Sequence, residues 1–216
     1  MSRRSFDLTL YLVAGQADCG SRPLEEVVAA AVAGGVTLVQ LREKGVATRT
    51  HLERARGLKR RLAPTGVPLL INDRIDVALA AGVDGVHLGQ DDMPPAQARA
   101  LMGEEAIIGL SAGDAAEAGS VDPALVDYAG VGPAYATGTK SDAGAAIGVE
   151  GVGDVMRRVG VPVVAIGGIT AETAGALVAA GAAGVAVVSA VCAAADPEAA
   201  ARVVRRAVER ARMQTD

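Results

Sequence analysis

Residues 36–45, VTLVQLREKG, combine the composition of a buried strand with a repeating polar pattern. Gln40, Arg42 and Lys44 recur at every second position among apolar residues. Because a β-strand directs alternate side chains to the same face, the spacing predicts that an amide and two positive charges point the same way. Two cations that face inward from such a strand indicate a site for an anionic group.

Carboxylates follow the next two apolar runs. Asn72 and Asp73 end the run 67–73, and Asp92 follows the run 85–90. Mg²⁺ takes one or two carboxylates in proteins and keeps open positions for substrate phosphates. Asp73 and Asp92 are therefore candidate magnesium ligands, and together with the two cations they have the composition of a diphosphate–magnesium site. An ion-pair network without a metal is the alternative.

Two segments closer to the C-terminus indicate a phosphate site. They are IGGI (166–169), at the end of the seventh apolar run, and Val188 and Ser189, at the end of the eighth. Glycine lacks a Cβ, so backbone N–H groups can approach an anion, and the start of the next helix adds its dipole. Gly168 is the candidate glycine. The alternative is that the paired glycines only make a tight turn.

The stretch GPAYATGTKSDAG (132–144) is predicted to be a long loop, and long loops in compact domains are usually functional or disordered. Thr137, Thr139 and Lys140 supply two hydroxyls and a charge. The loop is predicted to close over a substrate as a lid, with a surface loop as the alternative.

Neither histidine indicates an acid–base site. His51 lies on a basic helix and is predicted to be exposed, whereas His87 lies inside a strand and is predicted to pack or to contact substrate. The sequence contains no nucleophile elbow and no His-rich cluster. These features favour catalysis by electrostatics and positioning over covalent catalysis.

Short apolar runs alternate with longer helical stretches about eight times along the chain, which predicts an α/β fold, a single-domain (β/α)₈ TIM barrel over residues 1–216 with a flexible tail at 1–6. An open doubly wound sheet is the alternative. The strands are predicted at 8–15, 36–43, 67–73, 85–90, 106–112, 127–133, 161–168 and 184–190, and the helices at 24–35, 50–66, 76–83, 95–102, 115–120, 151–160, 171–181 and 197–213.

In such a barrel the C-terminal ends of the strands meet at one rim, where the chemistry takes place. Polar residues that follow the apolar runs should collect there: Gln40, Arg42, Lys44, Asn72, Asp73, Gln90, Asp91, Asp92, Ser111, the loop 132–144, the turn 166–169 and Ser189.

The composition excludes several classes of function. A net charge of −4 and only 2% aromatic residues argue against a nucleic-acid binder. The uncharged stretch 175–195 is long enough to span a bilayer, but its Ala and Gly content favours a helix followed by a strand. The N-terminal apolar run is interpreted as a strand rather than a secretion signal. Cys19 and Cys192 are predicted to be reduced thiols of a cytoplasmic protein, although a bridge between them stays open.

Seven segments resemble, in order, the motifs of the thiamine phosphate synthase family: QLREK (40–44), IND (71–73), DGVHLGQDD (84–92), GLSA (109–112), GPAYATGTK (132–140), AIGGI (165–169) and VVSA (187–190). The resemblance implies a transferase that joins 4-amino-2-methyl-5-(diphosphooxymethyl)pyrimidine to 4-methyl-5-(2-phosphooxyethyl)thiazole and releases diphosphate. These two substrates are the expected partners, Mg²⁺ is the expected cofactor, and a homo-oligomer is left open.

The resemblance also implies residue roles and a dissociative mechanism. Diphosphate leaves first, and the thiazole nitrogen then captures a pyrimidinylmethyl cation, so no general base is needed. The catalytic residues are expected to be Arg42, Lys44, Ser111 and Lys140. The pyrimidine diphosphate is expected to bind Gln40, Arg42, Lys44, Asn72, Ser111 and Lys140, the metal Asp73 and Asp92, and the thiazole phosphate Thr137, Thr139, Gly168, Val188 and Ser189.

Two positions depart from the family pattern. Ala136 stands where the loop usually has Pro, and Gly113 replaces the His of a Ser-x-His turn. A related thiazole tautomerase depends on a His near that turn, so Gly113 argues against this alternative. A non-catalytic barrel that binds thiamine precursors is a further alternative, and the metal and diphosphate set argues against it. A phosphosugar isomerase barrel should show a carboxylate or Cys acid–base pair at the strand ends, and none is evident beyond the proposed metal ligands.

Overall fold

Eight parallel strands form a closed barrel in which each strand pairs with the next and β8 pairs with β1. The computed structural model describes residues 3, 5–138 and 144–214. The strands are β1 Leu10–Ala14, β2 Leu38–Leu41, β3 Leu69–Asn72, β4 Gly85–Leu88, β5 Ile107–Ser111, β6 Tyr128–Val131, β7 Val163–Ile166 and β8 Gly184–Val187. The predicted TIM barrel is confirmed.

Helices follow the strands and cover the outside of the barrel. They are α1 Leu24–Ala33, α2 Thr48–Leu62, α3 Ile75–Ala81, α4 Pro95–Met102, α5 Ala115–Ala118, α6 Gly148–Met156, α7 Ala171–Ala179, α8 Ser189–Cys192 and α9 Pro197–Met213. α9 has the predicted bounds, and the Asp196 side chain caps it by accepting from the Ala199 N–H at 3.0 Å. The short helix α8 is absent from the prediction, which continued the last strand to residue 190.

Alternation along each strand divides the apolar residues between two clusters. In β1, Leu10, Leu12 and Ala14 pack outward with the helices, whereas Tyr11 and Val13 pack inside the barrel. Burial on both faces explains why the strands are continuous apolar runs.

Glycines inside the barrel make room for its largest side chain. A Cβ on Gly109 would lie 2.1 Å from the Tyr128 ring, and Tyr128 itself is fully buried. The Tyr128 ring can therefore occupy this position only because residue 109 has no side chain. Tyr128 packs edge-on against Tyr11, with ring centroids 5.8 Å apart.

A buried charge cluster ties together the loops at the N-terminal end of the barrel. Asp127 accepts from Arg99 at 2.7 Å and from the Ile108 N–H at 2.7 Å. Arg3 also pairs with Asp127 at 3.0 Å, and Phe6 packs on Tyr128. Arg3 and Phe6, which belong to the predicted tail 1–6, therefore contact the N-terminal end of the barrel, and the flexibility of the tail stays a prediction.

His51 is buried in α2, so its predicted exposure is wrong. It recurs with Ala55, Leu58 and Leu62 at intervals of three or four residues, and that spacing places it on the inner face of the helix. Among the described residues, its Nε2 is the buried side-chain polar atom without a hydrogen-bond partner.

Cys19 and Cys192 are free thiols, and both are buried. No helix within residues 3, 5–138 and 144–214 combines the length and apolar composition that crossing a bilayer requires.

Candidate active site

A cavity of about 550 Å³ opens at the C-terminal end of the barrel. It brings together eight residues that the sequence analysis assigned to substrate: Gln40, Arg42, Asn72, Ser111, Thr137, Gly168, Val188 and Ser189. They come from six strands or the loops that follow them and are far apart in sequence, so the closed barrel is what assembles this wall. Thr139 and Lys140 lie outside the described residues.

The positive side of the cavity begins where β2 ends. The Arg42 N–H donates to the Ala14 carbonyl at 2.8 Å, and the Arg42 side chain lines the cavity. The next residue, Glu43, is buried and pairs with Arg54 at 2.8 Å. Because Glu43 points away from the cavity and Arg42 points into it, the side chains continue to alternate in direction beyond the end of β2 at Leu41. Within the described part of the chain, no ion pair engages the Arg42 guanidinium.

Lys44 lies farther out on the rim than the strand pattern predicted, because β2 ends at Leu41. It is 59% exposed, and its Nζ pairs with Asp73 Oδ2 at 2.6 Å. Asp73 has a φ of 62°, an uncommon conformation for a residue other than glycine that is often found at functional sites.

Asp73 and Asp92, the carboxylate pair, lie close enough for each to shift the pKa of the other. Burial opposes ionisation of Asp73, but Lys44 and the neighbouring Asp92 outweigh it and hold the pKa of Asp73 below its ordinary value. Burial and the neighbouring Asp73 raise the pKa of Asp92. The Gly89 N–H donates to Asp92 at 2.6 Å and fixes that carboxylate.

The carboxylate pair has the donor chemistry of a magnesium site. Two carboxylates in contact share a proton because both cannot easily carry a charge, and a divalent cation relieves that repulsion. Two carboxylates without a third side-chain ligand leave positions open for substrate oxygens. Among the described residues, no group of three or more His, Cys, Asp or Glu is arranged to hold a metal.

The turn after β7 has the backbone of an anion site. Gly167 and Gly168 have φ of 99° and 61°. A Cβ on Gly168 would lie 2.5 Å from the Ala136 carbonyl oxygen, so the close approach of residues 133–136 requires glycine. α7 begins three residues later, and α8 begins at Ser189 on the same wall.

An acidic side chain lies against the backbone of Gly113. The Gly113 N–H donates to Glu117 Oε2 at 2.6 Å, and Asp114 and Glu117 both line the cavity. Neither acid was among the predicted site residues.

Tyr11, Tyr128 and His87 form a hydrogen-bonded chain at the floor of the cavity that the sequence analysis did not predict. Both tyrosines are buried and His87 is partly buried. The sequence predicts that His87 packs or contacts substrate, and it places Tyr11 and Tyr128 only within the strands 8–15 and 127–133. Their signal was available: each occupies an inward position of its strand, where a phenol needs a polar partner.

Comparison with known proteins decides the family. The sequence model described as thiamine monophosphate synthase matches residues 10–191. The chain belongs to the thiamine monophosphate synthase family. It is 55% identical to the thiamine-phosphate synthase of Xanthobacter autotrophicus over 97% of this chain and 99% of that protein. It is 53% identical to the thiamine-phosphate synthase of Azorhizobium caulinodans, over 96% of this chain and 98% of that protein.

A solved thiamine phosphate pyrophosphorylase from Pyrococcus furiosus has the same fold, with a TM-score of 0.85 and 36% identity over 94% of this chain and 96% of that one. Membership of the thiamine monophosphate synthase family confirms the resemblance that the motifs predicted. All seven motifs lie within the matched residues 10–191.

Proposed function

We propose that this chain is a transferase that condenses 4-amino-2-methyl-5-(diphosphooxymethyl)pyrimidine with 4-methyl-5-(2-phosphooxyethyl)thiazole, giving thiamine phosphate and diphosphate. The observation that carries the proposal is one cavity with the Arg42 guanidinium on one side and a glycine turn on the other. The cluster of Lys44 with the carboxylate pair lies at the rim, after the neighbouring strands β2, β3 and β4. Two different phosphorylated groups can therefore bind the same cavity at opposite walls. Family membership over nearly the whole chain supports this assignment.

The proposed reaction is a dissociative substitution. The bond between the pyrimidinylmethyl carbon and the diphosphate oxygen breaks, and its electron pair leaves with diphosphate. The lone pair of the thiazole nitrogen then forms the new carbon–nitrogen bond. That nitrogen has no proton to lose, so the step balances without a general base. The chain's task is to stabilise charge on the leaving group and to hold the thiazole in line.

Arg42 and Lys44 are the proposed clamps on the departing diphosphate. Arg42 lines the cavity, and a guanidinium can hold two oxygens of a phosphate group at once. Lys44 stands above it on the rim. Ser111 and Asn72 lie deeper in the cavity and are proposed to donate hydrogen bonds to the same substrate.

Asp73 and Asp92 are proposed to hold Mg²⁺. When bound, the ion would neutralise charge on the diphosphate oxygens. Lys44 would then stay close to the same oxygens, because its Nζ already contacts Asp73. A metal-free network of Lys44 with the carboxylate pair remains the alternative, and chelation distinguishes the two.

The glycine turn Gly167–Gly168 and the wall at Val188 and Ser189 are proposed to bind the thiazole phosphate, with Thr137 and Thr139 from the loop. Lys140 is proposed to meet the diphosphate when the loop closes. Closure would keep water from the pyrimidinylmethyl cation.

The proposed activity can be tested with purified protein, both substrates and Mg²⁺. We expect diphosphate release that depends on the thiazole, with thiamine phosphate identified by mass spectrometry. Release that is absent, or that is unaffected when the thiazole is omitted, would contradict the proposal. Isomerisation of a thiazole phosphate without diphosphate release would support the tautomerase alternative instead.

A further inference from the structure

Five side chains form one continuous hydrogen-bonded chain across the floor of the cavity. Gln40 Nε2 lies 2.5 Å from the Tyr11 hydroxyl, which lies 2.9 Å from the Tyr128 hydroxyl. The Tyr128 hydroxyl lies 2.8 Å from His87 Nδ1, and His87 Nε2 lies 3.0 Å from Ser111 Oγ. The chain runs through strands β2, β1, β6, β4 and β5 and ends at a hydroxyl that faces the cavity.

The direction of this chain follows from its first member. An amide nitrogen can only donate, so the Tyr11 oxygen accepts from Gln40. Among the described residues, the acceptor that remains for the Tyr11 hydroxyl proton is the Tyr128 oxygen, and the one that remains for the Tyr128 proton is His87 Nδ1. A neutral imidazole that accepts at Nδ1 carries its proton at Nε2. That proton points at Ser111 Oγ, so the Ser111 hydroxyl is an acceptor toward His87.

The direction of the chain determines whether Ser111 presents a proton or a lone pair to the cavity. Because His87 supplies the proton in their shared bond, the proton of the Ser111 hydroxyl is left to be donated into the cavity. With the opposite direction, Ser111 would donate to His87 and present only lone pairs to a substrate. An anionic oxygen is stabilised by a donor and repelled by lone pairs.

We propose that Gln40, Tyr11 and Tyr128 are positioning residues that hold His87 in its Nε2–H form and thereby make Ser111 a hydrogen-bond donor to the substrate. The tautomer is inferred from the donor direction along the chain and does not depend on the proposed function. The effect on turnover rests on the proposed function.

The packing keeps the phenols in the required state. The Tyr128 ring stacks on His87 with centroids 5.5 Å apart and meets Tyr11 edge-on. Gly109 and Gly130 leave the space for these rings, since a Cβ at either position would crowd Tyr128 or His87. Burial raises the pKa of Tyr11 and Tyr128, so both hydroxyls keep their protons near neutral pH.

The tautomer can be read by ¹⁵N NMR of histidine-labelled protein without substrate. The chain has two histidines, and the variant His51→Gln assigns the remaining signals to His87. We expect a protonated Nε2 and an unprotonated, hydrogen-bonded Nδ1 at neutral pH. A protonated Nδ1, alone or in an imidazolium, would overturn the proposed direction.

The variant Tyr128→Phe keeps the ring but removes the donor to His87. Its Nδ1 signal should move away from the hydrogen-bonded position, with a smaller movement in Tyr11→Phe. The third tyrosine, Tyr135, is outside this chain, so Tyr135→Phe should leave the His87 signals unchanged. Unchanged signals in Tyr128→Phe would overturn the proposal.

The kinetic test is a double-mutant cycle. Tyr128→Phe should lower kcat about three- to tenfold, the size of one hydrogen bond, with little change in KM. In a Ser111→Ala background the same substitution should have no further effect, because its path to the substrate is gone. Full additivity would show that Tyr128 does not act through Ser111. Absence of any synthase activity would instead count against the proposed function and leave the NMR result standing.

Discussion

Arg42 acquires its role from the residues on either side of it. Its backbone N–H still follows the ladder of β2 by bonding Ala14, while Glu43 is anchored to Arg54 on α2. These two anchors direct the side chain between them toward the cavity, which it lines. A guanidinium already placed there can stabilise the charge on a leaving diphosphate.

Arg42→Ala should therefore reduce kcat/KM by about 10²–10³, the usual size of a lost transition-state contact. Arg42→Lys should recover part of the loss, because it keeps the charge but cannot bind two oxygens in a plane. Steady-state kinetics with both substrates gives the values. Arg157→Ala, at an exposed ion pair on the outside, is the matched control and should leave turnover unchanged. Equal kinetics for Arg42→Ala and this control would remove Arg42 from the mechanism.

Asp92→Asn should separate the metal site from the metal-free network. The amide oxygen can still accept from the Gly89 N–H, so the turn should remain while the charge needed for Mg²⁺ is lost. We expect a rate loss of about 10²–10³ and weaker Mg²⁺ binding by calorimetry. Asp91→Asn, at the exposed neighbour, serves as control. Full activity of the unaltered protein in excess chelator would instead favour the network of Lys44 and the carboxylate pair.

Helix α2 illustrates how burial can create a pH-dependent element away from the cavity. His51 packs on its inner face, and burial lowers the pKa of His51 below the ordinary 6.5. The unfolded chain therefore binds a proton at a higher pH than the folded protein does. Where the unfolded state binds more protons than the folded state, the free energy of unfolding decreases as the pH drops. His51 therefore has no effect on stability well above pH 6.5. It lowers the free energy of unfolding increasingly as the pH falls from 6.5 to the lowered pKa of the folded state.

His51→Gln should remove this term. Urea unfolding between pH 8 and pH 5 should show the free energy of unfolding of the unaltered protein falling, relative to the variant, as the pH drops below 6.5. The limiting slope for one proton is about 1.4 kcal/mol per pH unit. Parallel curves for the two proteins would mean that His51 titrates alike in the folded and unfolded states.

The elements themselves were largely predictable, and their local exceptions have physical reasons. The alternation of strands and helices gave the barrel and the bounds of α9, because both-face burial and capping are local properties. The prediction that His51 is exposed was wrong because it relied on the basic residues next to it in the sequence. The spacing of His51 with Ala55, Leu58 and Leu62 indicates instead that it lies on the inner face of the helix. The contacts of Tyr11 with Tyr128 could not be predicted, because they depend on how β1 and β6 face each other across the closed barrel.

At the scale of the whole molecule, the two ends of the barrel have different proposed roles. The C-terminal end carries the cavity and the proposed chemistry, whereas the N-terminal end holds the buried cluster of Arg99, Asp127 and Arg3. Arg99 also donates to the carbonyls of Leu125 and Ala106, so one guanidinium ties the loops before β5 and β6. Residues in this cluster should therefore influence stability without contributing to catalysis.

Asp127→Asn tests that division. The side chains of Arg99 and Asp127 are only 5% and 6% exposed, so neutralising the acid leaves a buried guanidinium without its counter-charge. Removing one partner of a buried pair costs about 3–5 kcal/mol, and the free energy of unfolding should fall by that amount in urea. Asp154→Asn breaks an exposed pair with Arg157 and should change the free energy of unfolding by only about 0–1 kcal/mol.

Both variants, assayed well below their melting temperatures, should keep the kcat of the unaltered protein, because the strands that carry the cavity remain paired. A kcat for Asp127→Asn that falls while the protein remains folded by circular dichroism would mean that the two ends of the barrel are coupled.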